Sequence, residues 1–501
     1  MGPQMQNEGK AEEAQAGSLA ALEARVQQDQ QYLCRPPENW VLPHQHGGEP
    51  VLDAVIIGGG MCGQLVWFAL TSGGMRNIRI LDRSPEGLEG PWMTYARMET
   101  LRSPKQLTGP AYGVGALTFR AWYTAQYGEA DWETLDKIPR PMWMDYLKWY
   151  RKVLAIPVEN GVEVKRILPE GDYLRLELAG AAPEKSLVTR KCIMATGREG
   201  TGHPQIPAFI GDLPRSHWAH TSEDIDFAAL KGKRVVVIGA GASAVENAAE
   251  AAEHGAREVR HLIRRREMPT INKMMGIGSF GFTAGFADLP DEWRWRFMQY
   301  SFATQTPAPR GSTLRASRND TVYFHFGKGI EEVQLSGGEL VIDTVDGLRL
   351  AADYMILATG FTTDPMARTE LDGYADKIEL WRDRYTPPAN EQNDDLARFP
   401  YLNTDFTFRE RRAGEAPWLK HIYCFNYGAS ASLGKVSGDI PGISEGASWL
   451  ARALAATLYQ EDVAAYFQGM IDYDKPELQG DEWTASEIDT EAVAPLSKVG
   501  G

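Results

Sequence analysis

No stretch of this 501-residue chain approaches the roughly 18 consecutive apolar residues of a membrane span. The first fifty residues are polar and lack the apolar core of a signal peptide, so a cytoplasmic protein is expected. Cysteine is scarce: Cys34, Cys62, Cys192 and Cys424 are widely scattered, and none forms a CxxC pair. That speaks against a disulfide framework or a thiolate metal cluster and for a reducing compartment. The few histidines are equally scattered, and no metal site is expected. Positive charge is in deficit as well. With 52 Lys and Arg against 67 Asp and Glu, the formal net charge is −15, which argues against nucleic acid or an anionic membrane as a partner. No short-period repeat is visible, so the chain is not a solenoid.

What is present is enough chain for two or three domains. Residues 1–50 read as an extension, in which residues 10–33 form a polar helix with Leu19, Leu22 and Val26 on one stripe. Pro36, Pro37 and Pro43 break it. An arm lying on the main body is expected, with a homodimer contact as the alternative.

Two copies of one pattern follow. Val51–Ile57 is a short apolar run ending in glycines before the helix-like Gln64–Leu70, and Arg234–Ile238 leads in the same way to Val245–Ala252. A buried parallel strand, a tight turn and a helix make the βα unit of a doubly wound sheet. The first turn reads Gly58-Gly-Gly60-Met-Cys-Gly63. Gly58 permits the sharp turn, Gly60 lets a pyrophosphate approach the backbone, and Gly63 lets helix and strand pack closely. The next strand, Ile78–Leu81, ends in Asp82, whose carboxylate suits the ribose hydroxyls of an unphosphorylated dinucleotide. The second turn is Gly239-Ala-Gly241-Ala-Ser-Ala244, and its next strand, Val259–Ile263, ends in Arg264, Arg265 and Arg266. Guanidinium groups bind a ribose 2′-phosphate that an acid would repel. This contrast assigns FAD to the first site and NADPH to the second, without saying which arginine meets the phosphate.

Lys191–Gly197 and Tyr354–Gly360 are short strands that each end in Ala-Thr-Gly, one on either side of the second unit. They suggest one domain inserted into another. The expected division is an extension at 1–50, an FAD domain at 51–200 with an aromatic-rich substrate cap at 100–155, and an NADPH domain at 201–350. The second part of the FAD domain takes 351–470, and a tail takes 471–501.

Two dinucleotide folds, paired Ala-Thr-Gly segments and the missing CxxC resemble the class B flavin-dependent monooxygenases: the flavin-containing, N-hydroxylating and Baeyer–Villiger enzymes. The resemblance covers most of residues 51–460 in the order of its motifs. It implies an α/β fold of two Rossmann-like dinucleotide-binding domains, the NADPH domain inserted into the FAD domain, of three-layer ββα/αβα type. The family's linker signature is matched loosely, by Phe209-Ile-Gly211 and then His217-Trp-Ala-His220-Thr221. His220-Thr221 resembles the family's His-Ser pair after an insertion, and His217 with Trp218 is the rival assignment. Gly90-Pro-Trp92 resembles the element that packs the flavin. Gly438 to Gly442 precede the helix-like Glu445–Leu458, whose N-terminus would face the flavin pyrimidine as in flavoproteins of this architecture. The resemblance further implies that NADPH reduces the flavin and that O2 forms a C4a-(hydro)peroxyflavin shielded by retained NADP+. One oxygen atom then passes to a small-molecule substrate, with N- or S-oxygenation favoured over Baeyer–Villiger oxidation. His220, Thr221 and Arg264 are the candidate NADP+-positioning groups, and Gly360 and Gly442 join the cofactor-binding set. Residues 269–327, with Lys273, are expected to be a long glycine-rich loop. A disulfide reductase shares the two-domain plan but needs a cysteine pair, and Cys62 is alone in its turn.

Overall fold

The computed structural model describes residues 3–484, with side chains from residue 18 onward. One compact unit spans Met1–Ala455, and a second begins at Ala456. The first helix, α1 (Pro3–Tyr32), buries Leu22 and Val26, and Gln27 Nε2 donates to the Val153 carbonyl at 2.9 Å. The arm therefore lies on the body, as its apolar stripe requires.

The first sheet and its helices are built from β1 (His44–His46), β2 (Glu49–Ile57), α2 (Met61–Ser72), β3 (Ile78–Asp82), α3 (Phe119–Thr134) and α4 (Arg140–Val153). Then come β4 (Val158–Asn160), β5 (Val162–Glu170), β6 (Tyr173–Gly180) and β7 (Ser186–Met194). The strand order is β4-β3-β2-β7-β6-β5, with β1 also on β2. Strands β2, β3, β4 and β7 run parallel, whereas β5, β6 and β7 are antiparallel neighbours. Residues 53–57 of β2 are all buried, which is why that run shows no polar alternation.

The expected aromatic cap is α3 and α4. Its aromatics Trp122, Trp132, Trp143 and Trp149 are buried, and Phe119 meets Trp143 at 5.8 Å between ring centroids. These rings pack against one another as a core, and none of the four lines the cleft described below.

Next the chain forms β8 (Gly202–Pro204), β9 (Trp218–His220), β10 (Arg234–Ile238), α5 (Ala242–Glu253) and β11 (Glu258–Ile263). Between β11 and β12 (Val322–Phe326) it folds α6 (Phe280–Gly285), α7 (Asp291–Thr304) and α8 (Arg310–Ser317). The expected plain loop over 269–327 is thus largely helical. The acids Asp291 and Glu292 favour the start of α7, and Trp295 and Met298 give it a face to bury. That face packs with Phe286, Trp381, Phe399 and Tyr401. A hairpin sheet of β13 (Ile330–Ser336), β14 (Glu339–Thr344) and β15 (Arg349–Ala352) precedes β16 (Tyr354–Leu357). The second sheet has the all-parallel order β12-β11-β10-β16-β9.

β17 (Phe361–Thr363) pairs antiparallel with β8, so the passes into and out of the second sheet run side by side. After the short helices α9 (Trp381–Arg384) and α10 (Asp394–Ala397), β18 (Ile422–Cys424) returns to the first sheet beside β7. The chain thus leaves one doubly wound sheet, completes another and comes back, which is an inserted domain. It ends with α11 (Ser430–Leu433), α12 (Ile443–Glu461) and, in the second unit, α13 (Val463–Asp472). No helix among the described residues is long and apolar enough to cross a membrane.

Candidate active site

The two glycine turns are near copies in space. Gly58 has φ +106°, and a Cβ there would stand 2.5 Å from the Ala195 carbonyl oxygen. Gly239 has φ +139°, and a Cβ there would stand 2.4 Å from the Ala358 carbonyl oxygen. Each Ala-Thr-Gly segment therefore closes against the first glycine of one turn, which is what the paired tripeptides do. Ala195 N–H donates to the Ile57 carbonyl and Ala358 N–H to that of Ile238, both at 2.9 Å.

The turns differ at their third small residue. A Cβ on Gly63 would lie 1.8 Å from the Gly58 carbonyl oxygen, so only glycine fits. In the second turn Ala244 is accommodated, fully buried. Gly60 and Gly241 each cap their helix in extended conformation, and neither helix start carries a side-chain cap. The open N–H groups of α2 and α5 suit a pyrophosphate, and so both cradles fit the dinucleotides. Asp82 sits at the end of β3 as expected and accepts from Gly59 N–H and Ser84 N–H, both at 2.7 Å. Each of its oxygens keeps a lone pair for a ribose hydroxyl.

A cleft of about 1940 Å³ opens along the second turn, and Gly58, Gly60, Gly63 and Asp82 of the first site are not among its lining residues. Its walls include Trp92, Gly239, Gly241, Arg264, Arg265 and Gly360, and also Gly438 to Gly442 before α12. Arg266 is exposed outside that lining. Arg265 donates to Gln305 Oε1 and to the Ala303 carbonyl, both at 2.9 Å, whereas Arg264 has no hydrogen-bond partner among the described residues. Gly442 is needed for a local reason: a Cβ there would stand 2.5 Å from the Lys435 carbonyl oxygen. The loop before α12 thereby folds back tightly, and Cys62 Sγ–H reaches the Ser437 carbonyl at 3.7 Å, joining this loop to the first turn. Cys62 is buried, which raises its thiol to about 12, and it has no cysteine partner. Lys273 is exposed and lies outside the lining, although its neighbours Asn272 and Met274 belong to it.

His220 and Thr221 are buried and do not line the cleft. His220 reaches it indirectly. Its Nε2–H donates to the Gly360 carbonyl at 3.0 Å, while Nδ1 accepts from Ser222. This fixes one neutral tautomer, and burial lowers the ring's pKa. His217 is held by Ser216 at 3.0 Å, away from the cleft. His220 thus positions backbone and has no direct route to a bound substrate.

Two positioning residues escaped the motifs. Asn426, fully buried, donates to the Met194 carbonyl and to Thr196 Oγ1, both at 3.1 Å, and accepts from Thr201 Oγ1 at 2.5 Å. It pins the first Ala-Thr-Gly to β18. His261, on β11, donates from Nε2 to the Gly239 carbonyl at 2.8 Å beneath the second turn. Nothing in a single sequence distinguishes either from an ordinary buried polar residue.

Burial lowers His261 from 6.5 to about 4. The unfolded chain then takes up a proton first, so this stabilising contribution is full above pH 6.5 and is lost as pH falls towards 4. The urea midpoint is expected to drop between pH 7 and pH 5, and His261→Gln to flatten that drop. An identical drop in the variant would place the acid sensitivity elsewhere.

The profile of the pyridine nucleotide-disulphide oxidoreductase family matches residues 55–276. The chain is 39% identical over 480 residues, 95% of its length and 100% of the relative's, to the FAD-dependent urate hydroxylase of Xanthomonas campestris pv. campestris. The chain belongs to the class B flavin-dependent monooxygenases. Its fold agrees with that of these enzymes. A Kutzneria sp. 744 ornithine N-hydroxylase, solved with reduced FAD, NADP+ and L-ornithine, matches with TM-score 0.64 at 16% identity, covering 81% of this chain and 100% of that one. L-lysine 6-monooxygenase from Pseudomonas syringae matches with TM-score 0.61 at 17% identity, covering 82% and 99%. The enzyme uses FAD and NADPH and passes one oxygen atom from O2 to a small molecule. When bound, the flavin supplies the oxygen chemistry. The chain's own residues cradle, orient and enclose it.

Proposed function

We propose that this monooxygenase hydroxylates urate or a closely similar oxidised purine in the cytoplasm. The carrying observation is the full-length match to a urate hydroxylase, to which the cleft along the second turn adds room for coenzyme and a flat substrate. Electrons balance as substrate, O2, NADPH and a proton giving hydroxylated product, NADP+ and water. Arg102 and Lys137 stand in the cleft wall, where a cation suits an anionic purine. In this reading Asp82 holds the FAD ribose, Trp92 packs the flavin, and Arg264 binds the 2′-phosphate. His220 steadies the nicotinamide end through the Gly360 carbonyl, and Thr221 supports the same strand end through its N–H bond to the Leu357 carbonyl. The domain limits follow the division at residues 50, 200, 350 and 470. Oxygen transfer to nitrogen or sulfur is the second reading, favoured by the fold shared with the two amino-acid N-hydroxylating enzymes.

The test follows NADPH oxidation and O2 uptake with urate, xanthine, ornithine, lysine and a simple sulfide. Urate is expected to accelerate NADPH oxidation with one O2 consumed per NADPH and little hydrogen peroxide. If urate gives only peroxide while an amine couples fully, the second reading replaces the first.

A further inference from the structure

The segment from Trp92 to Arg102 lines the cleft with Trp92, Met98, Leu101 and Arg102. Arginines hold it on both sides. On the FAD side, Arg140 at the start of α4 donates from Nε to the Met98 carbonyl at 2.9 Å and from Nη1 to that of Trp92. On the coenzyme side, Arg97 donates to the Glu223 carbonyl at 3.2 Å, and Arg315 of α8 donates from Nη1 to the Arg97 carbonyl at 2.9 Å.

The same Arg315 guanidinium also grips α5. Its Nη2 meets Glu250 at 2.6 Å, and its Nε meets Glu253 at 2.9 Å. Its side chain is 13% exposed, so its pair with Glu250 is shielded from solvent more than an ordinary surface ion pair, whereas Glu253 lies nearer the surface. One turn before Glu250, the buried Glu246 accepts from Ser312 Oγ at 3.0 Å and faces Arg102, Arg140 and Arg315. α5 is the helix whose uncapped N-terminus follows Gly241, where the coenzyme pyrophosphate docks. One side chain therefore joins the backbone of the flavin-side wall to the helix that carries NADPH.

We propose that Arg315 is a positioning residue for hydride transfer, fixing the register between the coenzyme helix and the flavin-side wall through Glu250, Glu253 and the Arg97 carbonyl. A planar fork suits this task, because it satisfies three acceptors in one geometry, whereas an ammonium is a point charge. Transfer of a hydride from nicotinamide to flavin is sensitive to ångström-scale displacement. The inference rests on the FAD and NADPH assignment and not on the choice of substrate.

The experiment is anaerobic rapid-mixing reduction of the bound FAD over a range of NADPH concentrations, with no substrate present. Arg315→Ala is expected to lower the limiting reduction rate about tenfold, because misplacement of reacting groups costs up to about a hundredfold. FAD content should match the parent's, and the NADPH Kd should change less than about threefold. Arg315→Lys should recover part of the rate, since it retains one carboxylate pair. Adding Glu250→Gln to Arg315→Ala should cost little more, as expected of residues acting as one unit. If Arg315→Ala does not fold, Glu250→Gln alone carries the test and should slow reduction severalfold. A parental limiting rate in whichever of these variants carries the test overturns the proposal. So does a loss confined to Kd, or one that Arg315→Lys leaves wholly unrelieved. Because urate is absent from the assay, failure here is distinct from failure of the purine assignment.

Discussion

Gly63→Ala is expected to give a colourless protein that NADPH cannot reduce. The added methyl would stand 1.8 Å from the Gly58 carbonyl oxygen, a backbone atom that cannot rotate away. Strand β2 and helix α2 must then separate, and the pyrophosphate cradle between them opens. Overpacking of this kind costs about 1–3 kcal/mol or more, which alone corresponds to about a tenfold to hundredfold loss of FAD affinity. FAD content after purification should fall at least tenfold, with circular dichroism and melting temperature reported alongside. The informative control is Ala244→Gly in the second turn. It removes a methyl that already fits and should leave FAD content unchanged, at a helix cost of about 1 kcal/mol. A yellow Gly63→Ala protein with a full complement of FAD would show that α2 does not need its close contact with the turn.

Arg264→Ala is expected to lower kcat/KM for NADPH about tenfold to a hundredfold while leaving NADH turnover unchanged. Arg264 lines the cleft at the end of β11 with no hydrogen-bond acceptor among the described residues, so its charge is available to a 2′-phosphate. Charge-assisted hydrogen bonds contribute about 1.5–3 kcal/mol, which gives the stated range. Arg265→Ala should shift the preference less, because that guanidinium already holds Gln305 and the Ala303 carbonyl. If Arg264→Ala keeps the parental NADPH to NADH ratio and Arg266→Ala collapses it, the assignment moves to Arg266, outside the cleft lining.

These two expectations draw on different kinds of information. That the first turn demands glycine at position 63 and the second tolerates alanine is written in the motifs Gly58–Gly63 and Gly239–Ala244. The choice of FAD and NADPH came from Asp82 against Arg264–Arg266. Which arginine is available was invisible, because Arg265 is occupied by Gln305 and Ala303, some forty positions away in the chain. For the same reason His220 could be singled out by its motif but not placed. It binds the Gly360 carbonyl from behind the cleft and does not face into it. The tryptophans of 100–155 followed the same rule: composition showed them to be numerous, and only packing turned them inward.

By itself the sequence determined the local grammar: two apolar strands, two glycine turns, two opposite charges beyond them and two Ala-Thr-Gly strand ends. Each is set within a few residues by backbone sterics and charge, so each can be read without the rest of the chain. Tertiary structure alone decided which groups share one cleft, that residues 269–327 are largely helical, and that Asn426, His261 and Arg315 hold the site together. Those three act through partners between 22 and 232 positions away. Contacts of that reach come from how sheets and helices pack against each other, and no local pattern carries them.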